Sequence, residues 1–427
     1  MKDTFFKSTI ILLIGGAITK LLGLIIKIVM TRIVGLDGIS LYMLVFPTFS
    51  LFMTISQLGL PTALSKVIAE NKTNNKNIVL SLIPIVLLFN IFLMIIVFLI
   101  ANILANTLNE PKALIPILSI AFVLPFDSLS AILRGYFFGK EKMFPHILSL
   151  IVEQLVRIVL IVLIVPSLLK RNIIMAVSGL ILVNIFSELT SSITLILFIK
   201  DKTIKMNDLI PKKSNLKNIF SIAIPTTTSR LIGSIAYFFE PIIITSVLTL
   251  MNYSNSYIIR EYGIIEGYVL PLLFIPNFFT TAMSNALIPD ISKNYVNKDF
   301  KKIKRRINKV IRISLCIGIF TSLLLFLKPK KFLKLLYQTN HGSKYLSILS
   351  PFFVFLYIQI PLECSLQAIG KAKNVMINNI VGTALKLLSI FIFGLLHIGL
   401  YNLIIAIIVN ILITTYLHYR ILKKELY

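Results

Sequence analysis

The sequence is poor in charge, and poorest in acid. Only 14% of its 427 residues are charged, and Asp and Glu together number 17. A soluble domain carries about a quarter charged residues. This scarcity, with 57% hydrophobic residues and a mean hydropathy of +0.90, excludes an ordinary water-soluble enzyme. Cysteine is nearly absent. Cys316 and Cys364 stand far apart in apolar segments, without CxxC or Cys/His metal spacing, and read as small buried hydrophobes. The four histidines, His146, His341, His397 and His418, are too scattered to suggest a metal site. No GxxxxGK[ST], HExxH or GxSxG string occurs. ATP hydrolysis and the common hydrolase mechanisms are therefore not expected, nor is any organic cofactor.

What is present is apolar and basic. Lys and Arg number 43, for a net charge of +26. A nucleic-acid binder can be as basic, but its apolar residues do not form runs that span a bilayer. The 30 Phe and 15 Tyr exclude a disordered basic tail. A helix of about 20 apolar residues crosses the hydrocarbon core. We read twelve such spans, at 9–34, 39–64, 78–104, 114–138, 147–168, 173–199, 218–248, 262–290, 310–327, 345–368, 374–396 and 399–419. Barrel strands alternate apolar with polar, and these runs do not, so the fold class is all-α and polytopic. The basic, apolar N-terminus reads as the first span rather than a removable signal peptide.

Twelve spans put both termini on one side, taken as cytoplasmic. Connections on that side carry 26 Lys and Arg, against 9 on the other, as the positive-inside rule requires. One outer segment does not fit, with Lys328, Lys330, Lys331, Lys334 and Lys344. Either it is a helix lying on the outer leaflet, its lysine stems snorkelling, or the count near span nine is wrong.

The chain reads as a duplication. Thr19-Lys20-Leu21-Leu22-Gly23 in span one matches Ser229-Arg230-Leu231-Ile232-Gly233 in span seven. Pro47, Phe49, Pro61 and Lys66 match Pro276, Phe278, Pro289 and Lys293, and Gly139–Lys142 matches Gly370–Lys373. Two six-helix lobes follow, 1–200 and 217–427, joined by a basic cytoplasmic linker, 201–216. Six spans is an even number, so the repeat is parallel, with pseudo-symmetry about the membrane normal.

Ionisable residues inside spans are costly and usually face a cavity or a partner. This chain has Lys20, Lys27, Asp127, Arg134, Glu153, Arg157, Glu188, Arg230, Glu240, Glu266, Glu363 and Lys386. Lys20 and Arg230 are equivalent by the repeat. Gly16, Lys20, Gly23 and Lys27 share one helical face. Glu153 and Arg157 stand at i, i+4 and read first as an intrahelical pair. Lys386 aligns within one position of Arg157. We take Lys20, Arg230, Arg157, Lys386 and Lys27 as candidate substrate-binding residues. Glu240 and Glu266 are candidates for Na⁺ or H⁺ coupling, or alternatively partners of the buried cations. The predominance of cations suits an anionic group such as a pyrophosphate.

At these residues a family resemblance emerges. Ile18–Gly23, Leu133–Gly139, Glu153–Arg157, Ser229–Ser234, Glu240–Thr245, Tyr262–Pro271 and Gln367–Lys373 resemble the stage V sporulation protein B family. That family lies in the polysaccharide branch of the multidrug/oligosaccharidyl-lipid/polysaccharide (MOP) exporter superfamily and is related to the lipid II flippases. The resemblance covers nearly the whole chain. It implies translocation of an undecaprenyl-pyrophosphate-linked sugar, such as a spore-cortex peptidoglycan precursor, across a bacterial plasma membrane. It also implies membrane lipids and cell-wall synthases as partners, and no nucleic acid. The chain departs from lipid II flippases, which have Arg where Lys20 stands, Arg-Asp near Ile26-Lys27, another Arg early in span eight, and two further spans. The other functions weighed are a multidrug or cation exporter of the same fold and a non-transporting scaffold for spore-envelope synthesis.

Overall fold

The computed structural model describes residues 2–70, 75–199 and 213–426. Its longest helix, α1 (Lys2–Ser56), is interrupted at Gly35, where φ is 67° and ψ −167°. Only glycine adopts that backbone region readily. The interruption is needed because 55 residues make about 80 Å of helix, and the hydrocarbon core is about 30 Å thick. The two arms carry the expected spans one and two. The second arm ends at Ser56, earlier than the expected residue 64. Leu58 and Gly59 take positive φ, and Leu60–Glu70 forms a separate helix, α2. Leu60, Ala63, Leu64, Val67 and Ile68 are its buried stripe.

The next helices follow the expected spans to within a few residues: α3 (Asn75–Thr107), α4 (Leu114–Gly139), α5 (Met143–Arg171) and α6 (Ile173–Leu197). The α5–α6 corner is set by local chemistry. Lys170 and Arg171 lie in the last turn of α5, where the carbonyl end of the helix favours cations. Asn172 then caps α6, its side chain accepting from Ile174 N–H at 3.0 Å. Helix α4 lies close to α2 because Gly139 has no side chain; a Cβ there would meet Ser65 O at 2.7 Å.

The chain divides into two compact units, Met1–Phe238 and Phe239–Tyr427. The division falls inside α7 (Lys213–Leu250) rather than in the expected linker 201–216, most of which lies outside the described residues. The reason is packing. Ile219 and Ala223 sit in a core with Leu60 and Leu64 of α2 and Leu82 of α3, and Thr54 shares a 2.9 Å hydrogen bond with Ser234. The start of α7 therefore belongs to the first unit.

The second unit contains the end of α7, then α8 (Asn255–Ile264), a π-helical turn (Ile265–Val269), α9 (Leu270–Leu273) and α10 (Asn277–Val296). Span eight was expected as one helix over 262–290. It is a pair bent by 50°, with the break next to Pro276, which has no N–H to continue the ladder. Helix α11 (Phe300–Leu327) starts before the expected span nine at 310. Asp299 caps it, accepting from Lys302 N–H at 3.1 Å, so the basic stretch Lys301–Lys309 is helical. The lysine-rich segment that did not fit the charge count contains a short amphipathic helix, α12 (Pro329–Tyr337), with Leu333 and Tyr337 buried and Lys330, Lys331 and Lys334 exposed. Then come α13 (Ser343–Ala368), α14 (Ala372–Gly394) and α15 (Tyr401–Leu426). In the α13–α14 turn, Lys371 pairs with Glu425 at 2.8 Å, which holds its ammonium pKa above the ordinary lysine value.

Among the described residues no strand occurs, and nine helices are long and apolar enough to cross a membrane. Counting the bent pair as one span makes ten, against the twelve expected. The molecule is an all-α multi-pass membrane protein.

Gly35→Ala should cost about 1–3 kcal/mol, because alanine cannot take the Gly35 backbone without strain. Gly23→Ala, in the same helix, should cost nothing, since its Cβ meets no atom within 4 Å. Thermal unfolding of both proteins in one lipid mixture checks this; equal losses would contradict it.

Candidate functional site

In the first unit, α4, α5 and α6 bring four charged side chains together. Arg134 Nη2 lies 2.6 Å from Glu153 Oε2 and 2.8 Å from Glu188 Oε2, and donates to Ser191 Oγ at 3.0 Å. Arg157 Nη2 lies 2.6 Å from Glu153 Oε1 and 3.7 Å from Glu188 Oε1. Ser130 donates to Glu188, and Ser187 accepts from Arg157. Both carboxylates are almost wholly buried, with side-chain exposures of 5% and 4%. The i, i+4 pair expected on α5 is present. Its locking by Arg134 and Glu188 was not foreseen, because residues on three helices share no sequence spacing.

This quartet lines a cavity of about 420 Å³ within the first unit. Lys27 and Gly23 of α1, Asp127 of α4, and Gln57 line it too. Gln57 is bifunctional. Its Nε2 donates to Asp127 Oδ1 at 3.1 Å, and its Oε1 accepts from Arg230 Nη2 at 3.3 Å. Arg230 itself is exposed, as is Lys20, which lies three residues before Gly23. The charged lining was expected to be mostly cationic. It is balanced: Lys27, Arg134 and Arg157 face Asp127, Glu153 and Glu188.

The second unit has its own cluster. Lys386 Nζ on α14 lies 2.5 Å from Glu240 Oε2 on α7. Glu266, in the π-helical turn, adds a Coulomb attraction to the same ammonium. Lys386, Glu240 and Glu266 are thus brought together, while Arg157 and Lys27 line the first unit's cavity and Arg230 reaches only its lining residue Gln57. Among the described residues, no group of three or more His, Cys, Asp or Glu side chains is placed to hold a metal ion.

Long apolar helices in two units, each holding buried ion pairs, define a polytopic membrane protein. The family described as "Polysaccharide biosynthesis protein" matches residues 5–295, and MatE matches residues 241–392. Stage V sporulation protein B of Bacillus subtilis (strain 168) is 32% identical over 438 aligned residues, which cover 100% of this chain and 85% of that protein. The chain belongs to the polysaccharide biosynthesis protein family, within the MOP superfamily. Lipid II flippase MurJ of the same organism is 22% identical, over 91% of this chain and 77% of that one. Among solved structures, an inward-facing MATE family transporter of the MOP superfamily has a TM-score of 0.79 at 16% identity, covering 96% of this chain and 94% of that one. Lipid II flippase MurJ in an inward closed conformation has a TM-score of 0.72 at 16% identity, over 96% and 87%. These two likenesses establish the fold.

Removing one partner of a buried ion pair strands the other charge, at a cost of about 3–5 kcal/mol. Lys386→Met should therefore destabilise the protein by roughly that amount, and the double variant Lys386→Met/Glu240→Gln by much less. A double-mutant cycle on denaturation midpoints checks this; additive losses would contradict the pair.

Proposed function

We propose that the chain flips an undecaprenyl-pyrophosphate-linked oligosaccharide or peptidoglycan precursor across the bacterial plasma membrane by alternating access, in spore-cortex or other envelope polysaccharide synthesis. One observation carries this reading. Arg134, Arg157 and Lys386 are each held by carboxylates, whereas Arg230 is exposed and donates to the neutral amide of Gln57. An arginine within an apolar span that meets no carboxylate among the described residues is suited to an anionic ligand. Lys20, exposed on α1 beside the open faces of Gly16 and Gly23, is its repeat-equivalent. Lys20 and Arg230 clamp the pyrophosphate. Arg157 and Lys386, the other cations expected to bind substrate, are already held by Glu153 and Glu240.

The names of the relatives, a sporulation protein and a lipid II flippase, support a lipid-linked cargo. A cation exporter calls for an acidic cavity, and the balanced lining argues against it. Glu240 and Glu266 are the carboxylates that couple to Na⁺ or H⁺, through the ammonium of Lys386 that they share. An anion moving outward also gains about 2.3 kcal/mol per charge per 100 mV. Both termini face the cytoplasm in this reading, where the basic connections meet anionic lipid.

A head-group translocation assay in proteoliposomes tests the clamp. Lys20→Ala and Arg230→Ala should each lower flux about tenfold or more, the cost of one charge-assisted contact. Unchanged flux in both overturns the clamp. Export of cationic dyes without lipid-linked sugar flux would replace it with a drug exporter. Absence of any flux together with a stable synthase complex would replace it with a scaffold.

A further inference from the structure

We infer that α12 is a docking site for anionic phospholipid, and that lipid held there steadies the π-helical turn that carries Glu266. Lipid binding at this helix is independent of what the chain transports.

Position comes first. Helix α11 is apolar to its last residue, and its Phe320, Leu323 and Leu327 side chains are exposed, as a surface facing acyl chains requires. Lys328 and Pro329 end that run, and α12 begins there. The helix therefore starts where the hydrocarbon gives way to head groups.

Its three faces differ. At about 100° per residue, Leu333 and Tyr337 fall together and are buried. Lys330, Lys331 and Lys334 fill an arc of about 100° on one side of them. Phe332 and Leu335 fall on the other side, and Leu335 is 65% exposed. A helix with a basic flank and an apolar flank, one on each side of its packed face, suits the interface of a bilayer. The apolar flank meets acyl chains, and the lysine stems reach the phosphates.

Charge then selects the lipid. Residues 328–344 carry Lys328, Lys330, Lys331, Lys334 and Lys344, and the chain has no Asp or Glu between Asp299 and Glu363. Lysines clustered at a bilayer surface attract anionic head groups, whereas a zwitterionic head group has no net charge to offer.

The packed face carries the effect inward. The Tyr337 ring meets that of Tyr268 in the π-helical turn edge-on, with centroids 5.2 Å apart. Gly342, just after α12, lies so close that a Cβ would meet the side chains of Ile264 and Val269 at 2.7 and 2.8 Å. Tyr345, in the first turn of α13, donates to Glu261 at 2.7 Å. Helix α12 and the turn after it are thus fastened to residues 261–269. Glu266 lies among these, and its charge attracts the Lys386 ammonium.

Hydrogen exchange tests both halves, using the full chain in nanodiscs of phosphatidylcholine, with and without phosphatidylglycerol. In the parent chain, phosphatidylglycerol should slow exchange about tenfold at 328–344 and at 261–269, the effect of one or two lysine–lipid contacts. Added salt should reverse the slowing. The variant Lys330→Gln/Lys331→Gln/Lys334→Gln changes exposed positions alone. It should lose both effects while unfolding at the parent's midpoint in phosphatidylcholine. Tyr337→Leu should keep the slowing at 328–344 and lose it at 261–269. No difference between the two lipid mixtures, slowing that survives the triple variant, or slowing that soluble glycerol phosphate reproduces overturns the lipid site. Slowing confined to 328–344 in the parent chain overturns the link to the π-helical turn.

Discussion

A charge placed among apolar helices has to meet an opposite charge, and this requirement organises the protein. In the first unit, two arginines and two glutamates from α4, α5 and α6 satisfy one another, with serines taking the remaining hydrogen bonds. In the second, Lys386 satisfies Glu240 from another helix. Such pairs add little net stability compared with apolar packing, because desolvation offsets their attraction. What they supply is specificity. Only one rotation of each helix brings these groups together, so the pairs fix which faces of α4, α5, α6, α7 and α14 point inward.

Pairing also decides which charges are left for function. A cation held by a carboxylate is poorly placed to attract a phosphate. Once Arg134, Arg157 and Lys386 are accounted for, the exposed pair Lys20 and Arg230 becomes the informative one. Gln57 sits where α1 ends and the positive-φ turn at Leu58 and Gly59 begins. The turn is close to α7: a Cβ on Gly59 would meet the carbonyl oxygen of Ala223 at 2.8 Å. Backbone geometry thus places an amide between an exposed cation and a buried acid, and joins the cavity wall to the helix that carries Arg230.

Much of the fold was legible because hydropathy and helix length are one-dimensional properties. The spans from α3 to α6, and α13 and α14, follow directly from apolar runs bounded by polar breaks. The breaks within apolar runs were harder. The interruption of α1 at Gly35 falls in the 35–38 gap between the first two expected spans, but the left-handed backbone that makes it carries no compositional mark. Leu60–Glu70 was merged with span two because its apolar stripe continues the run before it. The bend in span eight had a signal in Pro271 and Pro276, but proline alone does not say whether a helix kinks or stops. The division inside α7 depends on Ile219 and Ala223 finding a core on α2 and α3, which no local pattern encodes. The site was legible to the same degree. The i, i+4 spacing of Glu153 and Arg157 could be read, while the convergence of Arg134 and Glu188 on them could not. The net charge of +26 belongs largely to connections and helix ends, and the balanced cavity shows how little of it enters the interior.

The central claim is that the phosphate of the cargo meets Arg230 and not the arginines already held by carboxylates. Phosphorus–nitrogen distance measurement by solid-state NMR tests it most directly, with arginine guanidinium ¹⁵N-labelled protein and a bound undecaprenyl-pyrophosphate sugar. The account predicts a close ³¹P–¹⁵N contact that disappears in Arg230→Lys and persists in Arg157→Lys. A contact that survives Arg230→Lys and vanishes with Arg157→Lys or Arg134→Lys would contradict it.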